Sequence, residues 1–183
     1  MGTCFLWDMK VTFGATHIKP INILKKNGDK YVPHKVSVVE LNRNDKNDLI
    51  TLGTLESDWG CDSLVNFILA VVENNSRNHI YALTSQEDSF ENLDDKKVLG
   101  VMLFEEQEAE NELKAIQTHP RYKTKKCHRP NYKNIGTAMI DFLKEKYSDK
   151  PLVLYSDSSA LGFYEKLGFK DDIAGTNWKV WNA

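Results

Sequence analysis

The segment from Glu112 to Leu143 constrains this chain more than any other. A strand-type run, Glu112–Thr118, is stopped by Pro120, which cannot donate to a ladder. The fifteen residues Pro120–Asn134 then carry Arg121, Lys123, Lys125, Lys126, Arg129 and Lys133 and no acidic side chain. In the run Ile135–Leu143 that follows, Ile135, Met139, Ile140 and Leu143 recur at the spacing of a helix face. A strand, a basic excursion and a helix in this order call for a sheet covered by helices, with a helix start set beside concentrated positive charge. Such a start offers unpaired backbone N–H groups and the positive end of the macrodipole, so a phosphate is bound there by geometry and field together. Gly136 lets the backbone approach a ligand closely, and Asn134 tolerates the positive φ that an anion-cupping turn requires. A solvated basic face ahead of an ordinary helix is the competing reading of the same residues.

The rest of the chain supplies the sheet. Cys4–Phe13 has strand character, and Ile21–Lys26 with Lys30–Val32 around Asn27-Gly28 predicts a hairpin. Lys35–Leu41 alternates as a strand. Asn44 or Asp45 caps a helix with Leu49, Ile50, Leu52 and Leu55 on its apolar face, and the loop Ser57–Cys61 leads to a second helix, capped by Asp62 and carrying Leu64, Val65, Phe67, Ile68, Val71 and Val72. His79–Thr84 and Val98–Glu105 read as strands joined by the acidic loop Glu87–Asp95. Glu108–Asn111 turns into Glu112–Thr118. Beyond the helix at Ile135, Pro151–Tyr155 is a strand of buried type, Ser158–Leu167 a helix ended by Gly168, and Thr176–Trp181 a last strand. From residue 35 the order is β-α-α-β-β-β-α-β-α-β, an α/β chain of α+β type with a mixed sheet.

The totals exclude several classes. At 183 residues the chain suits one domain, and its 41% hydrophobic and 27% charged residues are those of a folded protein. The apolar stretches Phe67–Val72 and Val98–Phe104 fall far short of the roughly 20 residues a bilayer requires. Met1–Lys10 lacks the charged start, apolar middle and cleavage site of a secretory signal, so the expected location is cytoplasmic. Cys4, Cys61 and Cys127 form no C-x-x-C pair, and the five histidines show no H-x-x-x-H spacing, which argues against disulfides and against a metal. Outside the basic segment the chain holds 18 basic and 26 acidic residues, and no aromatic stacking motif accompanies the basic run, which argues against nucleic acid as a partner. The oligomeric state is open, a homodimer included.

Two motifs carry a resemblance. Asn131-Tyr132-Lys133-Asn134-Ile135-Gly136, continued by Thr137-Ala138, is similar to the pyrophosphate loop R/Q-x-x-G-x-G/A of the GNAT N-acetyltransferases, with Asn131 in place of Arg or Gln and Asn134 in place of the first glycine. Asp157-Ser158-Ser159-Ala160-Leu161-Gly162-Phe163-Tyr164-Glu165-Lys166-Leu167-Gly168-Phe169 resembles that family's N-x-x-A-x-x-F-Y-x-x-x-G-F signature, with Asp for Asn. The resemblance covers residues 35–183 as the acetyltransferase domain and leaves 1–34 as an amino-terminal extension packed on it.

What it implies is a GNAT fold, a mixed central sheet with two splayed strands flanked by helices, and an enzyme that transfers the acetyl group of acetyl-CoA directly to an amine of a small molecule or peptide. Backbone groups of Ile116, Gln117 and Thr118 would pair with the pantetheine arm. Arg129, Asn131, Tyr132, Lys133, Asn134, Ile135, Gly136, Thr137, Ala138, Asp157 and Phe163 would hold the remainder of the cofactor. Tyr164 stands where the family has a tyrosine that lies near the CoA sulfur and can protonate it; a packing role on the face of Ala160, Phe163 and Leu167 is the alternative. Glu105 and Glu106 are candidates for the general base, and Trp59 with Asp58 for the acceptor site. A catalytically inactive acyl-CoA-binding or regulatory protein of the same fold is the second reading.

Overall fold

The computed structural model describes residues 14–59, 77–122 and 131–182, with the backbone alone for residues 56–58. The expected strand Cys4–Phe13, the second helix from Asp62, Cys127 and Arg129 lie outside the described residues, as does the side chain of Asp58.

Among the described residues nine strands form one sheet: β1 (Thr16–Asn27), β2 (Lys30–Leu41), β3 (Asn78–Thr84), β4 (Val98–Glu106), β5 (Asn111–Thr118), β6 (Tyr132–Lys133), β7 (Leu152–Tyr155), β8 (Lys170–Asp171) and β9 (Trp178–Trp181). Their order is β6-β1-β2-β3-β4-β5-β7-β9-β8, antiparallel throughout except for β5 beside β7. Three helices are described, α1 (Lys46–Trp59), α2 (Ile135–Lys146) and α3 (Leu161–Lys166). The fold is therefore α+β, as the element order implied.

The opening hairpin is longer than its turn signal suggested. Asn27 pairs with Lys30 around Gly28, whose φ of +61° suits the tight connection, and the ladder continues to Thr16 opposite Glu40. A boundary between residues 34 and 35 falls within β2, where His34 and Lys35 pair in succession with Ile23 and Asn22. β1 is thus a strand of the common sheet, and Ile23 is buried in its core.

Each face of the sheet has its own core. On one face Val36, Val38, Tyr81, Leu83, Met102 and Phe104 pack against Met139, Ile140, Phe142 and Leu143 of α2 and Tyr164 of α3. On the other, Val39, Leu41, Ile80, Ala82, Val101 and Leu103 pack against Leu52, Leu55 and Trp59 of α1. The two sets alternate along β2, β3 and β4, the period-2 signature of strands covered on both sides. Gly100 in β4 seats the start of α2: a Cβ there would stand 2.7 Å from Met139 Sδ and 3.2 Å from Ile135 Cγ2.

α1 departs from the expected apolar face. Leu49 and Ile50 are exposed, and the inward positions are Asp48, Thr51, Leu52, Leu55 and Trp59. Two polar side chains turn inward because each serves a backbone group: Asp48 Oδ2 accepts the Asn42 N–H at 2.7 Å, and the Thr51 hydroxyl donates to Leu93 O at 3.3 Å. Asp45 caps the helix, its carboxylate accepting the N–H groups of Asn47 and Asp48. The helix runs on to Trp59, through the start of the loop expected at Ser57. α3 is shorter than the expected Ser158–Leu167, because Asp157 holds Ser159 N–H (2.7 Å) and Ala160 N–H (2.8 Å) in a turn ahead of it. β9 likewise begins at Trp178, after a turn in which Thr176 bonds back to Ile173 O.

Burial pushes Asp48 up from 3.8 to about 6, the Asn42 N–H opposing and the Asp45 charge adding to the rise. The folded state thus binds this proton more tightly than the unfolded chain. Its stability contribution is complete below about pH 4 and is lost as pH rises through about 6, a loss of about 3 kcal/mol for two pK units. Asp48→Asn carries no such proton, so urea titrations between pH 4 and 7 should show a flatter stability profile for the variant than for the parent.

Candidate active site: a cleft between parting strands

β5 and β7 pair over three positions, Asn111 with Leu152, Glu112 with Val153 and Leu113 with Leu154. β5 then continues to Thr118, while Ser156 N–H is already bonded to Asn177 O as the chain turns toward β9. The departure starts at a bulge. Leu103 of β4 faces Ala115 and Phe104 faces Leu113, so Lys114 is an extra residue in β5. A bulge bends its strand and raises the local twist. Lys114 is fixed there by Glu105 at 2.8 Å and Glu112 at 2.6 Å. Past Lys114 the strands diverge and leave an edge of β5 facing an opening.

That opening is a cleft of about 640 Å³. Its walls are Ile116, Gln117 and Thr118 of β5, the segment Lys133–Thr137, and Ser159, Ala160, Phe163 and Tyr164 at α3, with Tyr122 beside the entrance. Asn134 is left-handed, at φ 63° and ψ 21°. The first helical hydrogen bond runs from Ala138 N–H to Asn134 O at 2.9 Å, so the preceding N–H groups of Ile135, Gly136 and Thr137 sit at the cleft without a part in it. Gly136 lies where three elements meet: a Cβ on it would be 3.3 Å from Phe163 Cζ and 3.7 Å from Thr118 Cγ2. The arrangement sets an apolar slot, the stretch of β5 beyond its pairing with β7, and a helix start side by side.

Tyr164 faces this slot from a packed position. It is 7% exposed, with ring centroids 5.0 Å from Phe163 and 5.7 Å from Phe169. Burial pushes its hydroxyl up to about 12, so it stays protonated at neutral pH. Tyr122 is raised as well, by burial and then by Tyr132.

Of the residues singled out in the sequence, Ile116, Gln117, Thr118, Lys133, Asn134, Ile135, Gly136, Thr137, Phe163 and Tyr164 come together here. Asn131 and Tyr132 are held in the approach to the turn, through Asn131 O accepting Lys26 N–H and Tyr132 pairing with Lys25. Asp157 forms the turn before α3, and Ala138 lies one residue beyond the wall. Tyr122 and Ser159 also line the cleft; neither stood out in the sequence, Tyr122 because it follows the strand as part of a one-turn helix, Pro120–Tyr122.

Glu105 and Glu106 are not brought to the cleft. Glu105 pairs with Glu112 and Glu106 with Asn111, at the closed end of β4–β5, about 13 Å along the strands from Gln117. Glu105 is tied to Lys114, and Glu106 lies 3.2 Å from Nε2 of His79, whose Nδ1 is 2.6 Å from Glu40. The antiparallel turn reverses the chain, so the end of β4 meets the start of β5 and not its open end. Trp59 is a core residue, 6% exposed, with its ring 5.1 Å from His119.

No family model and no curated protein matches the sequence, but solved structures match the fold. The PaiA N-acetyltransferase of Thermoplasma acidophilum, solved in complex with coenzyme A, superposes with a TM-score of 0.50 at 17% identity over 79% of this chain and 96% of that one. The ribosomal-protein-alanine N-acetyltransferase of Brucella melitensis gives 0.51 at 16% identity over 76% and 96%. The corresponding S18-alanine enzyme of Escherichia coli gives 0.51 at 16% over 79% and 89%. This chain has the GNAT fold.

Because Asn134 is left-handed, its neighbours depend on a residue that accepts that conformation. Asn134→Gly should leave the urea midpoint nearly unchanged, whereas Asn134→Val should lower stability by about 1–2 kcal/mol.

Proposed function

We propose that this chain is an acetyl-CoA-dependent N-acetyltransferase acting on an amine of a small molecule or peptide. The observation that carries the reading is the coincidence, in one cleft, of the part of β5 that lies beyond its pairing with β7 and a left-handed turn opening a helix start. A pyrophosphate suits the N–H groups of Ile135, Gly136 and Thr137, in the field of the α2 dipole and beside Lys133. An amide-containing arm suits the edge at Ile116–Thr118, which can accept and donate as a strand would. The coenzyme A bound to the PaiA enzyme of the same fold supports this assignment.

With the arm along β5, the thioester would lie toward the point where the strands part, where Tyr164 lines the cleft. A deprotonated amine attacks the carbonyl carbon, the C–S bond breaks, and the acetyl group remains on nitrogen. Holding two reactants in line contributes several kcal/mol by orientation. A hydroxyl near 12 is a weaker acid than a thiol, which titrates at about 8.5. Tyr164 therefore contributes a hydrogen bond that stabilises the thiolate as it forms, and the proton finally kept on sulfur is the one released by the amine.

Isothermal titration should show acetyl-CoA binding by the isolated protein, and absence of heat and of thermal stabilisation at millimolar ligand would overturn the assignment. Once a panel of amines has identified an acceptor by CoA release, Tyr164→Phe should lower kcat by roughly 10- to 1,000-fold with little change in acetyl-CoA affinity. A packing role alone predicts unchanged kcat and a stability change of about 1 kcal/mol or less.

A further inference from the structure

The amino-terminal hairpin carries a piece of chemistry that the cleft does not use. Asn27-Gly28 is the one Asn-Gly pair in the sequence, and it stands where β1 turns into β2. Asn27 faces Lys30 as the last pair of the ladder, so Gly28 and Asp29 form a two-residue connection outside it. Asn27, Gly28 and Asp29 are all exposed, and a Cβ built on Gly28 would meet nothing within 4 Å. Open space thus surrounds the turn, and residue 28 has no side chain to shield its own nitrogen from the amide of Asn27.

The charge around the turn favours attack of that nitrogen on that amide. Lys25, Lys26 and Lys30 stand within three residues of Gly28, against the single acid Asp29. Positive charge so placed stabilises the amide anion of Gly28 and the oxyanion that forms at Asn27 Cγ. Exposed ladder ends also open more readily than a packed core, which lets the nitrogen reach Cγ. The same turn is joined to the cleft. Lys26, next to Asn27, donates its N–H to Asn131 O at 2.8 Å, Lys25 pairs with Tyr132, and Leu24 pairs with Lys133, the residue before the left-handed Asn134.

We propose that Asn27 is a site of spontaneous deamidation, and that its isoaspartate product loosens the link between β1 and β6. The Gly28 nitrogen gives its proton to solvent base and bonds to Asn27 Cγ; the bond from Cγ to the amide nitrogen breaks, and ammonia leaves with a proton taken from water. Water then opens the five-membered imide. Opening at Cγ yields Asp, whereas opening at the main-chain carbonyl routes the chain through Cβ and Cγ and yields isoaspartate. Both products exchange a neutral amide for a carboxylate, and nothing is oxidised or reduced. Isoaspartate also adds a methylene to the main chain. A connection of two residues has no slack to absorb that length, so the last pairs of the ladder give way. Those pairs adjoin Lys26 and Lys25, which hold β6. The effect on cofactor binding rests on the acetyl-CoA reading above; the chemistry at Asn27 does not.

The experiment holds the full chain in mildly alkaline buffer and follows it by intact mass and chymotryptic mapping. The peptide Lys25–Tyr31 should gain about 1 Da, as an amide becomes an acid, and split into two isomers before any other asparagine-containing peptide changes. Asn27→Gln would have to close a six-membered ring and should keep its mass. The isoaspartate form, separated by anion exchange, should have a lower urea midpoint and bind acetyl-CoA at least about threefold more weakly, whereas Asn27→Gln after the same incubation should match the fresh parent. A Lys25–Tyr31 segment that stays unmodified in the protein after the free peptide of that sequence has reacted overturns the site. Complete conversion that leaves the urea midpoint where it was overturns the loosening of β6. A fresh parent that binds no acetyl-CoA overturns the cofactor reading instead, and the mass and urea measurements still decide this proposal.

Discussion

A strand buried in a sheet must place its N–H and C=O groups on partners along both edges, and β5 finds neighbouring strands unequally on its two edges. Its pairing with β4 runs from Asn111 to Thr118, but with β7 it ends at Leu113. The Lys114 bulge is the physical origin of the difference, because an extra residue in one strand turns the remainder out of the plane its neighbour follows. The ion pairs of Lys114 with Glu105 and Glu112 hold this residue in place. The cleft, its apolar walls and the approach of α2 to Thr118 through Gly136 all depend on that turn.

The helix start at the cleft is equally a product of constraint. Gly100 lets α2 lie close on β4, Gly136 lets it approach α3 and β5, and Asn134 takes the left-handed conformation that redirects the chain from β6 into the helix. Met139, Ile140 and Leu143 then bury the helix so completely that its first turn has little freedom to move. The open N–H groups are fixed in direction before any ligand arrives, which is the preorganised arrangement an anion site requires.

Much of this was legible in the sequence because local rules and the fold agree there. Alternation marked Lys35–Leu41 of β2, the acidic loop Glu87–Asp95 separated β3 from β4, Pro120 marked the end of β5, and the spacing from Ile135 marked α2. Asn134 and Gly136 stood out in the strand-loop-helix unit itself, whereas Ile116–Thr118 were expected only from the family resemblance. What could not be read was set at a distance. Leu49 and Ile50 look apolar enough to be buried, but Asp48 and Thr51 take the inner face because backbone groups of Asn42 and Leu93 need them. Glu105 and Glu106 seemed to end a strand at the cleft, yet which end of a strand meets an opening depends on pairing direction, and neither residue type nor periodicity encodes that. Two-residue strands such as β6 and β8 carry too few side chains for any period to show.

The pairing of β6 with β1 joins Leu24 to Lys133, more than a hundred residues apart in sequence. Contacts of that separation are among the last to repay the entropy of closing their loop. The turn at Asn134 therefore reaches its final setting only after the first hairpin has formed and the chain has returned to it. In the folded molecule the same link makes the segment leading into Asn134 part of the first hairpin's ladder, so the position of the cleft's turn is set as much by Leu24 and Lys26 as by the residues around it.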